Sequence, residues 1–322
     1  MSAAAAQTVV DFGGEQVTRL LSRAERRMNE LAGGHGSLLA RYAGQTIAAG
    51  GKRLRPLLVF LSAGAPPPES DGLLRAAVAV ELIHGATLIH DDVLDGSPLR
   101  RGHPTVFAAG GRSMAVAAGD LLFSRAFAEL AAAGSEQSVR VLARATRELA
   151  AGEVMQRADA FAADLGIERY LERCRLKTAV LFRAACELGS LQAGGPADQL
   201  AAFGERIGLA FQILDDVLDV TGPPERTGKP RGADLLDGTV TLPLIVARLR
   251  DPRIAELGLR GIRSPNAAAA LCDRIAATGA LEHARTKALE FVARAKQVLP
   301  SLPQRQRSAL ELVADGVVER YT

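Results

Sequence analysis

Apolar residues recur three and four positions apart along almost the whole of this chain, and no stretch alternates with the two-residue period of a half-buried strand. That periodicity predicts an all-α protein. Glycine and proline clusters supply the punctuation, at 48–56 ("AAGGKRLRP"), 63–72, 95–105, 132–137, 193–198, 221–239 and 261–267. Between them lie segments long enough for helices of several turns. Neither a composition shift nor a linker divides the chain, so one helical domain over 1–322 is expected, with residues 1–15 fraying.

Composition excludes several functions. A net charge of +3 and 4% aromatic residues without tryptophan offer neither the basic field nor the stacking platforms of a nucleic-acid binder. Cys174, Cys186 and Cys272 are odd in number and lie in apolar helical contexts, as reduced core residues do. The start lacks the basic and apolar regions of a signal peptide, and the longest apolar stretches are interrupted by Glu81, His84 or arginines. A cytoplasmic protein without a transmembrane segment is expected.

One pentapeptide occurs twice, in "LIHDDVLDGSP" at 88–98 and in "QILDDVLDVTGPP" at 212–224. On a helix Asp91 and Asp95 stand one turn apart with Asp92 at the flank, and Asp215, Asp216 and Asp219 repeat the spacing. The macrodipole and mutual repulsion make three carboxylates costly at a helix C-terminus unless a cation compensates them. Few, hard oxygen ligands point to Mg²⁺, which is usually completed by water and substrate phosphates. A solvated helix end is the plain alternative for one copy, and the second copy weakens it. Neither run combines the glycine and distal glutamate of a calcium loop.

Cations flank the first claw. "GGKRLRP" carries Lys52, Arg53 and Arg55, and "PLRRGHPT" carries Arg100 and Arg101. Arginine forks suit phosphate oxygens and lysine acts as a compact charge, although arginine-rich loops are often only solvated surface. Lys177, Thr178 and Gln212 stand among apolar neighbours, where a site role and simple snorkelling compete.

The set "GGKRLRP", "ELIHGATLIHDDVLDGSPLRRGHPT", "GEVMQ", "LKTA", "FQILDDVLD" and "TGKPRGADLLDGTVTLP", spanning 50–243, resembles the trans-prenyltransferases, the all-trans isoprenyl diphosphate synthases. The resemblance implies a single bundle of long, mostly antiparallel helices around a central cavity, usually as a homodimer, with the two claws facing each other across its mouth. It implies Asp91 and Asp95 as ligands of two Mg²⁺ and Asp215 of a third, supported by Asp92, Asp216 and Asp219. Arg100, Lys177 and Lys229 resemble contacts to the allylic diphosphate, and Lys52, Arg55, His84 and Arg101 those to isopentenyl diphosphate. Thr178 and Gln212 match positions near the reacting carbons. The chain departs from the family at Thr239, where lysine is common.

Thr87 and Ile83 lie one and two turns before Asp91 on its helix face, with Val80 and Ala86 close by. Short-chain members of the family typically carry an aromatic floor there. Ala86 and Thr87 are small, so a product of geranylgeranyl length or longer is expected, unless Phe123 or Phe127 closes the cavity from another helix. Two other readings compete. A class I terpene cyclase shares one DDxxD but usually lacks GGKRLRP and RRG, and a noncatalytic subunit of a heteromeric prenyl synthase is expected to have eroded claws.

Overall fold

The glycine and proline breaks become helix ends in the computed structural model, which describes residues 3–33, 42, 44, 46–47, 51–100, 102–222 and 231–319. The helices are α1 Ala3–Gly13, α2 Glu15–Gly33, α3 Leu54–Ala63, α4 Asp71–Leu94, α5 Val106–Ala132, α6 Glu136–Ala158, α7 Ile167–Cys174, α8 Val180–Gln192 and α9 Ala197–Thr221. They are followed by α10 Ala233–Leu236, α11 Leu242–Arg250, α12 Pro252–Ala255, α13 Pro265–Ala277, α14 Ala280–Val298 and α15 Gln304–Val318. Among the described residues the only strands are β1 Leu99–Arg100 and β2 His103–Pro104, paired antiparallel. The chain has the all-α fold its periodicity predicts.

Side-chain caps set several starts. Ser70, Thr105, Ser135 and Ser264 each accept a backbone N–H from the first turn of α4, α5, α6 and α13. Helix α4 buries residues on every side, from Leu73 to Val93, and therefore lies inside the bundle rather than on it. Helices α2, α3, α5 and α8 surround α4, while α8, α13, α14 and α15 pack around α9. Helix α8 touches both α4 and α9 and so holds the two aspartate-bearing helices apart.

The close approach of α8 depends on missing side chains. A Cβ on Gly189 would lie 2.0 Å from the Val59 carbonyl oxygen of α3, and one on Gly208 would lie 2.6 Å from the Ala179 Cα. Substitution at either position would force the backbones apart.

Two expectations need correction. Residues 3–13, where fraying is expected, form α1: Ala5, Ala6 and Val9 are buried, and α1 packs against α2 and α15. Secondly, α4 and α5 are both long and apolar enough to cross a membrane by length and composition, so Glu81 and His84 do not interrupt α4 as supposed. In α4 that apolarity serves the core. All three cysteines are buried free thiols, as their contexts predict.

Candidate active site

Helix α4 ends where it does because Gly96 takes a left-handed φ of 62° and the Ser97 N–H returns to the Asp92 carbonyl. This stop leaves Asp91 and Asp95 in the last turn, where both line a cavity of about 300 Å³. Asp92 turns the other way and is only 4% exposed. The β1–β2 hairpin folds Arg100 back onto it, with guanidinium nitrogens 2.7 and 2.9 Å from Asp92 Oδ1. Arg100 also reaches the cavity wall.

The claw on α9 is arranged differently. Asp215 lines the cavity, and Asp216 is buried at its edge, accepting from the Tyr170 hydroxyl at 2.6 Å and from the Gln212 amide at 2.7 Å. Gln212 in turn accepts from the Thr178 hydroxyl at 2.7 Å. Burial, and then the charge of Asp234, raise the Asp216 carboxyl above the usual range, against the two hydrogen bonds. Asp219 departs from the expected symmetry. It does not line the cavity, and its carboxylate accepts the Asp234 N–H at 3.3 Å, so it anchors the start of α10.

Between the claws, residues Arg175–Ala179 form one π-helical turn joining α7 to α8. Such turns, with an extra residue per turn, frequently occur at functional sites. Here the turn carries Lys177 and Thr178 into the cavity wall. Lys177 Nζ is 2.5 Å from Glu153 and 3.9 Å from Asp91. Glu153 also accepts from Arg157 at 2.8 Å, and Arg157 donates to Asp95 at 2.7 Å. Burial pushes the Asp91 carboxyl up to about 6, aided by Glu153 and Asp95 and opposed by Lys177 and Arg100. Burial would raise Glu153 too, but Lys177 and Arg157 hold it below the usual carboxylate range.

A second cavity of about 340 Å³ opens beside Asp91 and Lys177 and runs between α4, α5 and α6. Thr87, Leu94, Phe123, Leu149, Ala150 and Val154 give it a largely apolar wall. Thr87 borders both cavities, as its helical register predicts. Ile83 and Ala86, expected beside it, are fully buried in helix packing and line neither. Spacing along one helix could not reveal that neighbouring helices cover them.

On the other side, Arg55 and His84 line the first cavity, and the Arg55 guanidinium stacks 5.0 Å from the Phe182 ring centroid. Lys52 is exposed and outside the cavity wall. Arg53 faces Glu25 and Glu81 in place of the cavity. Arg101 and Lys229 lie outside the described residues. Thr239, Asp234 and Asp237 all line the cavity, and the two aspartates had drawn no role from sequence although they stand in the motif "GADLLDGT". Glu153 and Gln156 of "GEVMQ" are further cavity residues of this kind. Tyr170 carried no local signal, because its partner Asp216 is 46 positions away.

The residues suit a hard divalent cation bound together with an anion. Asp91, Asp95 and Asp215 supply carboxylate oxygens to one cavity, with Lys177, Arg100 and Arg157 on the same wall. Among the described residues no three carboxylate, histidine or cysteine side chains converge into a protein-only metal cage. Carboxylates that line one cavity without enclosing it suit a hard cation whose coordination water or a bound anion would complete.

Residues 37–269 match the polyprenyl synthetase family. The chain belongs to that family. It is 40% identical over 269 residues to heptaprenyl diphosphate synthase component 2 of Geobacillus stearothermophilus, covering 82% of this chain and 84% of the relative. It is 35% identical over 283 residues to the geranylgeranyl diphosphate synthase of Methanosarcina mazei, covering 85% and 87%. Its fold superposes with a TM-score of 0.92 on a polyprenyl synthase of Caulobacter crescentus solved with calcium and isoprenyl diphosphate, at 37% identity over 97% of this chain and 98% of the other. The protein is an enzyme of the isoprenoid synthase fold, a transferase of prenyl groups. The family uses isopentenyl diphosphate and allylic diphosphate substrates.

Proposed function

We propose that the synthase joins an allylic diphosphate to isopentenyl diphosphate in a Mg²⁺-dependent trans condensation, releasing a prenyl diphosphate of geranylgeranyl length or longer. The observation that carries this reading is the shared cavity: Asp91, Asp95 and Asp215 meet Arg100, Lys177 and Arg157 at its wall, and an apolar cavity leads away from Asp91. Asp91, Asp95 and Asp215 would hold about three Mg²⁺ ions. When bound, those ions supply charge neutralisation to the departing diphosphate. Arg100 and Lys177 donate to the same diphosphate, and Arg55 and His84 receive that of isopentenyl diphosphate.

In the reaction the allylic carbon–oxygen bond breaks and its electron pair leaves with the diphosphate. The isopentenyl double bond then forms the new carbon–carbon bond, and the proton lost in restoring a double bond passes to the released diphosphate. No side-chain base is needed. The hydrogen-bonded series Thr178, Gln212, Asp216 and Tyr170 fixes two polar side chains beside the reacting carbons. The apolar wall beyond Thr87 receives the tail and excludes water from the cation.

A homodimer is part of this reading. Its support is α5, where Ala108, Ala109, Val116 and Ala117 stay exposed on a helix apolar enough for a core. A second reading, that turnover needs another component, is favoured by one relative's designation as component 2.

The test incubates the purified protein with labelled isopentenyl diphosphate and either geranyl or farnesyl diphosphate, and measures product chain length. Incorporation by the protein alone supports the homomeric reading. A hydrocarbon released from the allylic primer without incorporation would instead indicate a terpene cyclase, and no turnover until a partner is added would indicate a heteromer. Asp91→Ala is expected to lower kcat by about a hundredfold or more, as loss of a transition-state charge stabiliser does.

A further inference from the structure

Arg53 is the non-glycine N-cap of α3 and sits in the left-handed region, with φ 45° and ψ 37°. A residue with a Cβ adopts that conformation only at a free-energy cost, and its persistence calls for surroundings that enforce it. Those surroundings are specific. The guanidinium is a two-pronged donor to Glu25 of α2, with both distances 2.7 Å, and also donates to Glu81 of α4 at 3.0 Å and to the Ile47 carbonyl at 2.6 Å.

Glu81 is only 7% exposed, and its second carboxylate oxygen has no hydrogen-bond partner among the described residues. A buried carboxylate so incompletely satisfied is a poor choice for stability alone. Its place in the sequence offers a reason. Glu81 precedes His84 by three residues on α4, and Arg53 lies between Lys52 and Arg55. Arg53, Glu81 and His84 border one small cavity of about 30 Å³.

We infer that Arg53, clamped by Glu81 and Glu25, is a positioning residue that sets the start of α3, with Lys52 just before it and Arg55 in its first turn, in register with His84 for binding isopentenyl diphosphate. Arg53 does not touch the substrate. It fixes the direction in which the chain enters α3, and through the carboxylate pair it couples that direction to the helix carrying His84. The inference rests on the assignment of Arg55 and His84 to the isopentenyl diphosphate site.

Steady-state kinetics on three full-length variants test it, varying each substrate in turn. Glu81→Gln keeps the shape of the side chain and removes the charge. It is expected to raise KM for isopentenyl diphosphate by about tenfold, the scale of a small misplacement of binding groups, with kcat and KM for the allylic primer nearly unchanged. Glu25→Gln cuts the same clamp from the protein surface, where folding is less at risk, and is expected to give a smaller rise in the same constant. Arg55→Gln is the control for the underlying site.

If Arg55→Gln selectively raises KM for isopentenyl diphosphate while both glutamate variants leave it unchanged, the clamp has no positioning role. The inference is equally overturned if the glutamate variants lower only kcat or the melting temperature. If Arg55→Gln itself spares that KM, the assignment of the site fails, and the inference fails with it. Selective rises in all three variants support it.

Discussion

Thr87 and Phe123 show how little of a residue's surroundings follows from its place on one helix. Thr87 borders both cavities one turn before Asp91, and Phe123 reaches the same apolar cavity from α5, its ring centroid 5.6 Å from that of His90. Phe123→Ala is expected to lengthen the main product by one or more isoprene units, and Thr87→Phe to shorten it, both read by chromatography of the extracted prenyl chains. Ala86→Phe is a poor way to shorten the product, because Ala86 is packed against neighbouring helices and a bulkier side chain there strains the core. The aspartates differ in the same manner. Asp95 and Asp219 hold equivalent places in the repeat, yet Asp95 lines the cavity beside Arg157 while Asp219 holds the N–H of Asp234.

At the scale of elements, the site depends on α8 and the π-turn before it. That turn presents Lys177 and Thr178 toward α6 and α9, and it fits only because α6 and α9 carry glycines where they meet it. A Cβ on Gly152 would lie 2.8 Å from the Lys177 nitrogen, and one on Gly208 would lie 2.6 Å from the Ala179 Cα. Gly208→Ala is therefore expected to destabilise the fold by about 1–3 kcal/mol, the usual cost of overpacking, as measured by denaturant unfolding. Activity is expected to fall further than stability alone accounts for, because the clash falls on the turn that carries Lys177. Helix α5 poses the opposite situation, an apolar helix with an uncovered face. If the proposed homodimer forms through that face, Val116→Asp, at a position 40% exposed, is expected to shift sedimentation from dimer to monomer while leaving helix content unchanged.

For the molecule as a whole, carboxylates from α4 and α9 and cations from α3, α6, the hairpin and the π-turn meet at one cavity, and in the proposed function a metal there would be completed by substrate. A chelator alone is accordingly expected to abolish turnover without lowering the melting temperature. Mg²⁺ with inorganic diphosphate is expected to raise it, by linkage between binding and folding, in a thermal-shift measurement. The helical class is legible in the three-and-four periodicity, and a candidate cation and anion site in a repeated carboxylate motif flanked by arginine and lysine. Both are local or repeated patterns, legible without knowing which helices touch. Helix packing, by contrast, sets that Asp219 holds the Asp234 N–H, that Ile83 and Ala86 are covered, that Arg53 pairs with Glu25 and Glu81, and that Tyr170, Glu153 and Arg157 join the network. Each of those outcomes depends on contacts between residues far apart in the chain, and such contacts are fixed by how helices pack rather than by the period of any one of them.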